Sequence, residues 1–298
     1  MSSSIRIKNS MLTRVFNISN IVILIILASI CILPFVHVVA VSFSNKLNVS
    51  AGFVTLWPKG FTIESYKYLL AKTAFWQAFK ISAIRLVLGT AINLILIMLT
   101  AYPLSKESSR LKMRTFYAWF FFVTMLISGG LIPNFILINE LGLRDSIWAL
   151  VLPGALPIFS LVLMLNFFRQ VPKELEEAAF IDGAGHLRTL AQVYIPISVP
   201  AIATISLFCM VAHWNAWFDG MIYMNSADKL PLQTYLRSVI IEMNVSEMGG
   251  DDWELLKTLS DRSLRSAQII IAMIPILSVY PFLQKYFVKG IVVGSVKG

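Results

Sequence analysis

Two stretches hold most of the residues whose types and spacing could do chemistry. KELEEAAFIDGAGHLRTLAQVYIP (Lys173–Pro196) gathers Glu174, Glu176, Glu177 and Asp182 with Lys173, His186 and Arg188. HWNAWFDGMIYM (His213–Met224) sets Asn215 and Asp219 among Trp214, Trp217 and Tyr223. Catalysis is poorly served by either. His37, His186 and His213 share no metal-ligand spacing, and no G-x-S-x-G nucleophile motif occurs. No G-x-x-x-x-G-K-[ST] phosphate loop is present, and the closing GIVVGSVKG lacks its spacing. Cys31 and Cys209 stand in apolar runs with no CxxC pattern. The expectation is no catalytic residue, no cofactor and no metal. What remains is binding. Indole and phenol rings stack on sugar faces, and Asn215 and Asp219 can bond hydroxyls. Trp214, Trp217 and Phe218 fall at i, i+3 and i+4, one face of a continuous helix. The five residues Trp214, Asn215, Trp217, Asp219 and Tyr223 are a candidate substrate path. An aromatic belt at the membrane interface explains the same rings equally well.

The elements that position these residues are membrane helices. The 298-residue chain is 57% hydrophobic and 14% charged, against about a quarter charged in soluble domains. Six apolar segments reach the length of about 20 residues that a bilayer crossing needs: Ile18–Phe43, Phe75–Ser105, Thr115–Asn139, Ser146–Phe168, Ile195–Tyr223 and Ser266–Phe287. The sequence therefore predicts an all-α polytopic membrane protein of six transmembrane helices. Residues 1–17 form an N-terminal segment, and 18–298 form one transmembrane domain. The basic residues before Ile18 resemble a signal peptide, but the apolar run continues past Cys31 to Val41, so a retained first helix is expected.

Net charge is +9. The basic residues cluster beside spans, a membrane-anchoring pattern, and nucleic acid is not an expected partner. Arg6, Lys8 and Arg14, then Lys106, Arg110, Lys112 and Arg114, then Arg169, Lys173 and Arg188, then Lys285, Lys289 and Lys297 all fall on one side of a six-span chain. Lys46, Lys59, Lys67 and Lys72 in the first loop, Arg144 in the third and five basic residues in the fifth run against this pattern, but the balance favours both termini in the cytoplasm, with a cytoplasmic loop at 169–194, an extracytoplasmic loop at 225–265 and a cytoplasmic tail at 288–298. The 225–265 loop carries the acidic MGGDDWELLKTLSD and a predicted short helix after Gly250.

Two spans are predicted to be broken: the third at SGGLIPNF, with Gly129, Gly130 and Pro133, and the fourth at LPGALPIF, with Pro153, Gly154 and Pro157. Freed backbone groups in a bilayer need protein or water partners. Asp219 needs a cavity or partner too. Lys80 and Arg85 are expected to snorkel.

The Lys173–Asp182 segment reads as a short helix: Pro172 suits its start, and the glutamates favour its N-terminus. Leu175, Ala178, Ala179 and Asp182 recur at helical spacing. Gly183 permits a turn, and a second helix runs to about Tyr194. A docking knob and a merely interfacial helix both fit this pattern.

Glu177-Ala178-Ala179, then Gly183, then Val193, Ile195 and Pro196 resembles the signature loop of ABC-type import permeases. AFKISAIRLVLGTAINLILIMLTAYPLSK (Ala78–Lys106) and QKYFVKGIVVGSVKG (Gln284–Gly298) are similar to segments of carbohydrate permeases of the maltose-permease type. HWNAWFDGMIYMN followed by KLPLQTYL is similar to an oligosaccharide subgroup. The resemblance implies an ABC importer type I permease fold in a bacterial plasma membrane. It implies a separate ATPase dimer that binds ATP and Mg, a second permease subunit of different sequence, and an extracytoplasmic solute-binding protein. Glu177, Ala178, Ala179, Asp182 and Gly183 would form the ATPase-coupling helix and its elbow, and the tail would reach between ATPase subunits. Two alternatives remain at this point: a secondary carrier driven by an ion gradient, and an intramembrane enzyme.

Overall fold

A computed structural model describes residues 11–242 and 260–295. The acidic segment of the 225–265 loop, its predicted helix, Arg6, Lys8 and Lys297 lie outside the described residues. Among the described residues the chain is helical, with no strand beyond an isolated bridge between Ser44 and Phe61. It divides into two compact units: residues 1–69 with 245–271, and residues 70–244 with 272–298.

The first unit contains α1 (Met11–Ser42), α2 (Lys46–Ser50) and most of α3 (Glu64–Ala71). α1 is apolar on every side and exposed along most of its length. In water such a helix would be unstable, and its length and composition suit a membrane span. At its end Ala40 and Val41 pack with Val49 and Val54.

The second unit is built on α4 (Thr73–Ser105). Around it stand α5 (Arg114–Leu126), α6 (Leu131–Glu140), α7 (Ile147–Val151), α8 (Ile158–Arg169), α9 (Lys173–Ile181), α10 (His186–Ile197), α11 (Val199–Asn215), α12 (Phe218–Tyr223) and α13 (Leu232–Glu242). The last helix, α14 (Asp261–Ser295), starts in the first unit and ends in the second, and its backbone stays helical through residue 295. The core joins α4, α8, α10 and α11 through Ile97, Tyr102, Met164, Phe168, Tyr194 and Ile205.

Among the described residues, three helices are long and apolar enough to cross a membrane, or up to five spans if each bent pair counts as one. The bends fall where the sequence places helix breakers. α5 and α6 meet at 112° across residues 127–130, with Gly130 at φ 84°. α10 and α11 meet at 86° around Ser198 and Pro200. The expected fourth span, Ser146–Phe168, consists of α7 and α8 separated by Leu152–Pro157, the predicted LPGALP break.

Candidate functional site

The Lys173–Pro196 stretch folds as an elbow. α9 starts after Pro172 and ends at Ile181. Gly183 has φ +80°, a conformation that costs a side-chain-bearing residue energy. The Ala184 N–H donates to the Ala179 carbonyl (2.9 Å) and the Gly183 N–H to that of Phe180 (3.0 Å). This closing pattern satisfies carbonyls left over at the helix end. α10 then leaves in a new direction, passing through one π-helical turn at Leu190–Tyr194.

The faces of α9 invert the usual amphipathic order. Glu176 is buried, with Ala179 and Phe180 half-buried beside it. Leu175, Ala178 and Asp182 are exposed, and Ile181 is 85% exposed. Leu187 on α10 adds to this surface. Glu177 is also exposed, 3.8 Å from the Arg110 guanidinium. The signature residues thus lie together on an open elbow, and the apolar positions read from the sequence point mainly outward.

The inner face of α9 carries a cluster that the sequence reading did not single out. Glu176 Oε2 accepts from the Tyr194 hydroxyl (2.7 Å) and pairs with Lys106 Nζ (2.9 Å), while Oε1 accepts from Arg110 Nη1 (3.0 Å). Lys106 Nζ also donates to the Tyr194 oxygen (2.8 Å) and lies 3.9 and 4.1 Å from the Tyr102 and Tyr194 ring centroids. Burial pushes the Glu176 carboxyl up, but the bonds from Lys106 and Tyr194 and the charges of Lys106 and Arg110 outweigh it. Its pKa is held below the ordinary glutamate value. No one-dimensional signal separated Glu176 from Glu177, because their partners lie far away in sequence.

The second stretch does not form the continuous aromatic face expected of it. The helix stops at Asn215, Ala216 is extended (φ −69°, ψ 124°), and α12 begins at Phe218. The i, i+3, i+4 spacing of Trp214, Trp217 and Phe218 therefore does not describe one helical face. Trp214 is 2% exposed, its indole N–H donating to the Ala272 carbonyl (2.8 Å). Tyr223 is buried and stacked on Phe135. Asn215 is exposed, and Trp217 is half-buried beneath the Arg237 guanidinium, 3.7 Å above its ring.

Asp219 has the partner that its position demands, and that partner is Arg85. Instead of snorkelling, Arg85 is 3% exposed and pairs with Asp219 through both guanidinium nitrogens. The same nitrogens reach the carbonyls of Ala216 (3.4 Å) and Leu150 (3.3 Å), each beside a helix break. Two turns along α4, Asn93 Nδ2 donates to the carbonyls of Gly154 and Ala155, both at 2.8 Å. His213 Nε2 lies 2.6 Å from Asn93 Oδ1, which holds that carboxamide with its donors toward the break. Between them Gly89 admits the imidazole, since a Cβ there would lie 2.4 Å from His213 Nε2. Ser82 accepts from the Leu232 N–H (2.7 Å) at the start of α13. Ser82, Arg85 and Asn93 make a polar stripe at helical spacing that satisfies backbone groups freed by the broken segments, with Gly89 leaving room for His213.

Outside the bundle core, Asp145 (φ 56°) accepts from the N–H groups of Asn225 and Ser226, both at 3.0 Å, and from Lys229 Nζ (2.8 Å). The Lys229 and Ser226 bonds hold its carboxyl well below the usual range. Among the described residues no group of three or more His, Cys, Asp or Glu side chains could hold a metal ion.

Among the described residues, interrupted apolar helices, a polar stripe facing their breaks and an exposed helical elbow define a polytopic membrane protein as a class. The chain belongs to the family described as binding-protein-dependent transport system inner membrane component, which it matches over residues 7–293. It is 39% identical to Protein LplC of Bacillus subtilis (strain 168), over 97% of each chain. It is also 39% identical to the polygalacturonan/rhamnogalacturonan transport system permease protein YtcP of the same organism, over 97% of this chain and 100% of that one. Among solved structures, a bacterial ABC transporter involved in the import of the acidic polysaccharide alginate contains a chain that matches with a TM-score of 0.84. That chain is 35% identical, with 93% of this chain and 98% of that one covered. The fold is accordingly that of a type I ABC importer permease.

Proposed function

We propose that this chain is a permease subunit that carries an oligosaccharide across the bacterial plasma membrane, powered by ATP hydrolysed on a separate subunit. The observation that carries the coupling part is the inverted elbow. α9 buries a carboxylate and exposes Leu175, Ala178 and Ile181, while Gly183 sets the turn. Exposed apolar side chains grouped on a short helix are a protein-docking surface. In this reading the partner is a cleft of a separate ATPase subunit. Glu177 and Asp182 then offer polar contacts at the rim, and Ala178 and Ala179 allow close approach. In this reading the elbow and both termini face the cytoplasm. A second, homologous permease chain and an extracytoplasmic solute-binding protein complete the importer.

YtcP is named for polygalacturonan and rhamnogalacturonan transport, and the solved transporter is involved in the import of the acidic polysaccharide alginate. That supports an acidic oligosaccharide as cargo, with Asn215, Trp217 and Asp219 beside its path. Trp214 and Tyr223 support that wall from within, because their rings are packed. In the alternating-access scheme, the breaks at 127–130, 152–157 and 198 are where packed segments reorient, because the helices on either side meet there at a bend or an interruption.

The test is uptake by proteoliposomes containing the whole importer, with labelled oligogalacturonate as probe and the binding protein outside. Uptake that requires internal ATP and persists after proton and sodium gradients are collapsed supports the reading. Uptake that follows an ion gradient without ATP makes the protein a secondary carrier.

A further inference from the structure

A push delivered to α9 must reach the spans, and the buried side of that helix shows where. Tyr102 and Lys106 come from the end of α4 and the residue after it, Arg110 from the following turn, Glu176 from α9 and Tyr194 from α10. Glu176 is 5% exposed and meets three donors on two oxygens within 3.0 Å. Lys106 is 8% exposed and its ammonium sits against two phenol rings. A buried ion pair is a poor source of net stability, because apolar residues of the same volume do as well or better. Its distinctive property is directionality: charge-assisted bonds fix one geometry, where apolar packing tolerates several.

We infer that Glu176 is a positioning residue that locks α9 to the end of α4, so that the two move as one body. The inference rests on the docking of α9 proposed above. Its consequence follows from α4 itself. That helix is 33 residues long and carries Arg85 and Asn93, which grip the carbonyls of Leu150, Gly154, Ala155 and Ala216. A tilt imposed at Lys106 is therefore delivered to the breaks in the fourth and fifth spans. The exposed Glu177 contacts the partner, and its buried neighbour Glu176 passes the displacement on.

The test uses the complete importer in nanodiscs: this chain, its partner permease, the ATPase subunits and the binding protein. Spin labels are placed at the exposed positions Gln77→Cys and Glu174→Cys, after Cys31→Ser and Cys209→Ala. The interlabel distance is measured by pulsed electron resonance without nucleotide and with ATP, Mg and vanadate. One narrow distance that holds within about 2 Å between the two states is expected, well under the roughly 5.4 Å of a one-turn slip. Glu176→Gln is expected to broaden it, and Lys106→Arg, which keeps the cation, to leave it narrow. Glu176→Gln/Lys106→Met strands no buried charge, since Arg110 is half-exposed, and it keeps the test open if the single variant does not fold. It is expected to broaden the distance as well, which a merely stabilising pair would not do. A wild-type distance that shifts by a helical turn, or a narrow one in the double variant, overturns the inference alone. Absence of the ATPase from the purified wild-type complex overturns the docking reading, and this inference with it.

Discussion

Arg85→Met removes the guanidinium at the centre of the polar spine while keeping most of the stem volume. The side chain is 3% exposed and Asp219 is 27% exposed. Removing one partner of a buried ion pair costs about 3–5 kcal/mol. Water reaches part of the stranded carboxylate, so the lower end, about 3 kcal/mol, applies here. The double variant Arg85→Met/Asp219→Asn removes that charge. It still leaves the Leu150 and Ala216 carbonyls short of a donor, a residual cost of about 1–3 kcal/mol. The double variant is thus expected to be more stable than the single one. Thermal unfolding of the purified importer in detergent, followed by intrinsic fluorescence, checks this. At about 1.6 °C per kcal/mol for a chain of 298 residues, the single variant should melt roughly 5 °C below wild type, with the double in between. A single variant that melts with wild type, or a double variant no more stable than the single, would refute the pairing.

Gly89→Ala should cost about 1–3 kcal/mol by overpacking, because the new Cβ meets the His213 ring, and the same thermal scan reads it. Gly183→Val has open space for its side chain but must hold φ +80°. It should cost the chain only about 1–2 kcal/mol, yet sharply reduce both co-purification of the ATPase and uptake. The Glu176 carboxyl has a pKa depressed in the folded protein. Its stabilisation is therefore present above the unfolded value of about 4.3 and lost as pH falls through the folded one. Melting temperature followed from about pH 7 to 3 should fall more steeply below that value for wild type than for Glu176→Gln; parallel curves would contradict the sign.

The breaks were legible because proline and glycine act locally. SGGLIP and LPGALP announce lost backbone hydrogen bonds without any knowledge of neighbours. The elbow was legible for the same reason, since Gly183 follows a glutamate-rich helix start. Asp219 could be flagged as needing a partner, but Arg85 lies on another helix, and an arginine near a span end looks the same in sequence whether it snorkels or pairs. The choice between Glu176 and Glu177 was hidden too, because adjacent residues on a helix differ by a rotation that only α4 and α10 determine. The failed aromatic face has a different cause. Ala216 and Trp217 carry no helix-breaking signature, and the chain departs from the helix there while the Arg85 guanidinium donates to the Ala216 carbonyl and the Thr234 hydroxyl donates to that of Trp217.

Photo-crosslinking from position 181 in the intact importer tests the central claim most directly. Ile181 is 85% exposed at the end of α9, beside the Gly183 turn. A photoreactive residue there is predicted to capture the ATP-hydrolysing subunit in cell membranes, with a yield that changes when ATP and vanadate are added. Capture of lipid alone, together with uptake that proceeds normally, would contradict the account.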